Sequence, residues 1–128
     1  MYTCKFAITT SVDGQENAMI RMGQFNISGG EFLLTYQEEN ASVSVSIKKG
    51  IVLIDRYGDY SLHLTLEQGK TVEGNIGIGD SSGTVLAKTH HIKYSMERGV
   101  FKLSLGYDLL FGDETQKMRL KLRGQIKG

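Results

Sequence analysis

The chain contains no proline, where a protein of its length would carry about six at the usual rate of about 5%. Turns built on proline are excluded, so the 16 glycines have to make them. A single cysteine, Cys4, excludes an intrachain disulfide and cannot by itself form a multi-cysteine metal site, which fits a reducing compartment. A dominant charge is missing too. Fifteen Lys and Arg against 14 Asp and Glu leave a formal +1, so no global field draws the protein to nucleic acid or to an anionic membrane. The longest aliphatic run, Ile51-Val52-Leu53-Ile54, falls far short of the roughly 18 residues that span a bilayer. The opening Met1-Tyr2-Thr3-Cys4-Lys5 does not read as a signal peptide, and the expectation is a cytoplasmic protein that makes no membrane contact. With 128 residues, 40% of them hydrophobic and 23% charged, the composition is that of one folded domain spanning residues 1–128.

Helical periodicity is also lacking: nowhere do apolar residues recur at i, i+3, i+4 and i+7 over a dozen positions. The period that is present is two. Tyr2, Cys4, Phe6, Ile8 and Val12 alternate with polar residues in a first strand, and Asp13-Gly14 followed by Gln15-Glu16-Asn17 makes the loop to a second strand, about Ala18 to Ile27. Phe32, Leu34 and Tyr36, then Val43, Val45 and Ile47, mark two more strands, and Ile51 to Tyr57 and Tyr60 to Leu66 follow. Thr71 to Ile78, a loop Gly79-Asp80-Ser81-Ser82-Gly83, Thr84 to Tyr94, the alternation Phe101 to Tyr107 and that of Met118 to Leu122 complete the pattern. Short turns between consecutive strands require an antiparallel meander, since parallel neighbours need crossovers of a dozen residues or more. With no helices to cover a sheet, closure hides both edges. The fold class is therefore all-β: a single antiparallel up-and-down β-barrel of about 8–10 strands whose first and last strands pair.

Four segments carry a resemblance: Tyr36-Gln37-Glu38-Glu39, Arg56-Tyr57-Gly58, Gly83-Thr84-Val85-Leu86-Ala87-Lys88-Thr89 and Gly99 through Leu109. In this order and spacing they are similar to the YwiB-like family of uncharacterised bacterial proteins. The resemblance implies a calycin-like β-barrel, the architecture shared by lipocalins and fatty-acid-binding proteins, and it implies no assigned activity. One departure is the turn Asp80-Ser81-Ser82, where that family often carries a proline.

Several segments imitate functional motifs without their requirements. Gly74 through Gly83 is glycine-rich, yet a phosphate loop needs a strand that hands over to a helix, and Thr84 to Tyr94 reads as a strand. His90 and His91 are adjacent, so on a regular strand one faces solvent and the other the barrel, and they cannot chelate one metal without a bulge. The serines show no nucleophile elbow. No metal, no cofactor and no catalytic residue is therefore nominated. Lys117, Arg119, Lys121 and Arg123 alternate with Met118, Leu120 and Leu122, which puts four cations on one face, with Lys127 as a fifth nearby. This is read either as a stripe for an anion or acidic partner, or as a solvated face paired with carboxylates of neighbouring strands. The absence of interleaved aromatics argues against nucleic acid.

Arg56 is the most informative position. If Val52 and Ile54 point inward, Arg56 does as well, and the phase of Phe32, Leu34 and Tyr36 carries Glu38 the same way. An inward guanidinium would hold a ligand carboxylate or pair with Glu38, while the opposite phase, with Ile51, Leu53 and Tyr57 inward, leaves Arg56 in solvent. Arg56, Tyr36, Glu38 and Tyr107 form the candidate ligand-binding set. The leading expectation is a non-enzymatic binding module that admits a small amphipathic or carboxylate-bearing molecule at one barrel mouth. A structural or protein-interaction domain that uses its outer face, including the basic C-terminal strand, is the alternative, and an enzyme of unknown chemistry is a third reading without positive support. Oligomeric state is not legible.

Overall fold

The computed structural model describes residues 2–127. Ten strands follow one another: β1 (Tyr2–Val12), β2 (Gln15–Ser28), β3 (Glu31–Glu38), β4 (Ala41–Lys48), β5 (Ile51–Gly58), β6 (Ser61–Leu66), β7 (Thr71–Ile78), β8 (Ser81–Glu97), β9 (Val100–Phe111) and β10 (Glu114–Lys127). Each pairs antiparallel with the next, and β10 returns to β1, with Cys4 opposite Ile126, to close the belt. The connections are tight. Asp13 and Gly14, and likewise Arg98 and Gly99, both take positive φ, the pair of left-handed residues that a two-residue hairpin turn demands. Two expected loops shrink for this reason. β2 begins at Gln15 instead of Ala18, and β8 begins at Ser81, so only Gly79-Asp80 remains of the five-residue loop.

Strand lengths are unequal, and this shapes the molecule. β2 pairs with β1 from Gln15 to Phe25 but with β3 only from Gly23 onward, while β8 pairs with β7 up to Lys88 and with β9 from Leu86 to Glu97. The two overhangs lie at opposite ends: β2 runs on past β3 at the end where β1 finishes, and β8 runs on past β7 at the end where β1 begins.

The inward faces fill the barrel. Val45, Ile47, Val52, Leu64, Leu66, Leu103, Leu105, Leu120 and Leu122 are buried. Leu62 is only partly buried, because it sits one step from the rim beside Arg56. Toward the other end Phe25 stacks on Phe101 at 5.0 Å, and Phe32 meets both edge-on. These rings fit because Gly124 has no side chain: a Cβ there would lie 2.7 Å from the Phe6 Cβ and inside the Phe101 ring's contact distance. Close approach also fixes Gly74 in β7, where a Cβ would stand 2.5 Å from the His63 carbonyl oxygen. No helix long and apolar enough to cross a membrane occurs among the described residues.

Candidate functional site

Register places Tyr36, Glu38 and Arg56 on neighbouring strands at one rim. Tyr36 on β3 lies opposite Val43 on β4, which lies opposite Arg56 on β5, and Glu38 is one inward step further toward the mouth. Val52 and Ile54 are buried while Leu53 is exposed, so the phase that carries Arg56 inward is the one adopted. Its side chain is 12% exposed, and each guanidinium nitrogen has a partner. Nε lies 3.5 Å from Glu38 Oε2, Nη2 lies 2.8 Å from Asp59 Oδ1, and Nη1 donates to the Tyr60 carbonyl at 2.8 Å. The guanidinium also sits 3.7 Å from the centre of the Tyr60 ring. Arg56 therefore ties β5, β3 and the β5–β6 turn together, with no donor nitrogen left over. The hydrogen bond from Arg56 holds the Asp59 carboxyl below its ordinary value.

Both tyrosines of the set are buried in the same region. Tyr36 meets the Phe6 ring edge-on at 5.0 Å, and burial, then the charge of Glu38, pushes its phenol up. Tyr107 is pushed up to about 12, mainly by burial and further by Tyr60. Tyr36 senses Glu38, Arg21, Tyr107 and Arg56 electrostatically, so the four nominated residues are one cluster at one end of the barrel.

Sequence reasoning missed the contribution of β2. Counted back by twos from buried Phe25, its inward phase runs through Gly23 and Arg21 to Met19, Asn17 and Gln15, a polar stretch that already signals a wet interior. Where β2 leaves β3, a cleft of about 300 Å³ opens between the apolar Ile8, Val12 and Met19 and the polar Arg21, Tyr36 and Glu38. Gly23 marks the parting. A Cβ there would stand 2.6 Å from the Thr35 carbonyl oxygen and 3.0 Å from the Phe6 ring, so glycine lets β2 and β3 close up at the base of the cleft. Arg21 donates to the Met19 sulfur at 3.3 Å and, among the described residues, makes no ion pair.

Two sequence expectations need correction. His90 is the extra residue of a β-bulge, because Thr89 pairs with Tyr107 and His91 with Gly106. His91 consequently lies over Gly106 on the outer face, 3.3 Å from Ser104 Oγ, and His90 Nε2 meets Asp108 at 2.9 Å, so neither histidine faces the barrel. Their partners diverge, and no group of three or more potential metal ligands converges among the described residues. The second correction concerns β10. Lys117, Arg119, Lys121 and Arg123 do share the outer face, but none of them has a carboxylate within ion-pair distance among the described residues. The side chain of Lys127 lies outside the described residues.

With the barrel and its rim in place, comparison with known proteins decides the family: residues 4–122 match the domain of unknown function DUF1934. The chain belongs to the DUF1934 family. Its fold is similar to the crystal structure of the ywiB protein from Bacillus subtilis, with a TM-score of 0.85 over 99% of this chain and 93% of that one, at 15% identity. At that identity the likeness concerns the barrel alone. No curated protein matches the chain.

Proposed function

We propose that this DUF1934 barrel is a non-enzymatic binding module that takes a small amphipathic, carboxylate-bearing molecule into the cleft at its mouth. The observation that supports this reading is Arg21, a guanidinium at the wall of a half-apolar cleft with no ion-pair partner among the described residues. Arg56 has a supporting role here: by engaging Glu38 it holds back the acid that would otherwise neutralise Arg21. An entering carboxylate meets the Arg21 fork and the Tyr36 phenol, while its apolar part lies along Ile8, Val12 and Met19. At about 300 Å³ the cleft suits a short chain or one ring, because the barrel beyond it is filled by side chains.

Calorimetric titration with a short-chain fatty acid such as hexanoate, alongside native mass spectrometry of protein purified from its own host, tests the proposal. Uptake is expected to weaken at least about tenfold in Arg21→Gln, the equivalent of one lost charge-assisted hydrogen bond, with the unfolding midpoint unchanged. Equal uptake by wild type and Arg21→Gln would count against the cleft.

A further inference from the structure

A second feature lies on the outer face, away from the mouth. In the extended sheet β8-β9-β10, Arg123 stands directly opposite Lys102, and Lys102 opposite Ser95. One row along, Lys121 stands opposite Ser104, and Ser104 opposite Lys93. Rows of one face are about 6.8 Å apart and strands about 4.8 Å, so four cations and two hydroxyls share a small patch. Like charges directly opposed on a sheet destabilise it, and none of the four has an ion-pair partner among the described residues. This concentration is not a consequence of a basic protein, since the rest of the chain holds 11 cations against 14 acids. The six residues line one groove of about 410 Å³.

We propose that this groove binds a compact polyphosphate anion, a molecule bearing two or three linked phosphates. Four positive charges within two rows match the charge density of linked phosphates, the Arg123 fork can donate two parallel hydrogen bonds to one phosphate, and Ser95 and Ser104 supply neutral donors between the cations. The length of the anion is bounded by acids. Glu97 follows Ser95 on β8 at one end, and at the other the adjoining cleft holds Asp108 and Glu16 beside Lys117 and Arg119. A long polyanion such as nucleic acid would have to run over these carboxylates, whereas a short one fits between them.

The test is calorimetric titration of the full chain with inorganic triphosphate, for wild type, the double variant Lys102→Gln with Arg123→Gln, and a control, Lys48→Gln with Lys49→Gln, at the exposed β4–β5 turn. Saturable one-to-one binding is expected. It should weaken by at least about tenfold in the groove variant, the fold-change of one charge-assisted hydrogen bond, and stay unchanged in the control. The ligand-free groove variant should also unfold at a higher temperature than wild type, because the opposed charges are gone. Absence of saturable binding, or equal weakening in the control, overturns the proposal. So does displacement of triphosphate by a single-stranded oligonucleotide that binds more tightly, since that outcome shows a linear polyanion as the occupant.

Discussion

Arg56 and Glu38 meet across the barrel rim at 3.5 Å, and the same guanidinium holds Asp59 at 2.8 Å from the other side. One side chain from β5 thus fastens β3 to the β5–β6 turn where the shorter strands end. Arg56→Met is expected to lower stability by about 1–2 kcal/mol through loss of the Glu38 and Tyr60 contacts, less than the roughly 3–5 kcal/mol of a fully buried pair because Glu38 is still wetted. Combining it with Glu38→Gln should recover part of the loss, as denaturant unfolding of the four proteins will show. Fatty-acid uptake should fall in the single variant, since Glu38 is then free to turn toward Arg21.

The Asp59 carboxyl provides a pH test of the same cluster. Its proton is held below the ordinary value in the folded chain, chiefly by the hydrogen bond from Arg56. A depressed carboxyl contributes stability that is present above the unfolded value, about 3.9, and is lost as pH falls through the lowered folded value. The window therefore lies below about pH 4. An NMR titration should show Asp59 ionising at lower pH in wild type than in Arg56→Met; coincident midpoints would mean that the pair does not form in solution.

Much of this fold was legible because a two-residue period leaves little freedom. Val43, Val45 and Ile47 fix one face of β4, and Asp13-Gly14 fixes the turn that sets the β1–β2 register. Tyr36, Glu38, Arg56 and Tyr107 could be nominated from the phases of their own strands. Arg21 was missed, because β2 carries apolar residues on both faces and its phase becomes clear only from buried Phe25: Met19 points into the cleft while Ile20 and Met22 are exposed outside. The His90 bulge was hidden for another reason. An extra residue changes the phase of a strand without leaving a mark in local composition, and only the partner strand's Gly106 reveals it. That no described carboxylate pairs with Lys102, Lys121 or Arg123 is likewise a property of register, which single-strand periodicity does not contain.

Gly124 tests how tightly the closed end is packed. Phe101 and Phe6 are fully buried around it, so neither ring has room to yield to a methyl group. Gly124→Ala should destabilise the barrel by about 1–3 kcal/mol, the usual range for overpacking, despite the better strand propensity of alanine. Adding Phe101→Leu should restore part of the loss in a double-mutant cycle, because it removes the atoms that the new methyl meets. A neutral Gly124→Ala would show that the aromatic cluster is looser than its ring distances imply.

Alkaline pH probes the mouth from the opposite direction. Burial pushes the Tyr107 phenol up to about 12, and Tyr36 is raised by burial and by Glu38, whereas an unfolded tyrosine ionises near 10. Between about pH 10 and 12 the folded chain keeps protons that the unfolded chain has released, so stability falls as pH rises through that window. Denaturant midpoints measured across it should decline more steeply for wild type than for Tyr107→Phe or Tyr36→Phe, and phenolate absorbance should show two of the six tyrosines titrating late. The same shift bears on ligand uptake. A phenol that stays protonated throughout the neutral range keeps its O–H as a donor beside Arg21, so carboxylate uptake should be flat with pH there and should fall only when Tyr36 ionises. Uptake that collapsed well below pH 10 would place the proton-sensitive group elsewhere and remove Tyr36 from the cleft's donors.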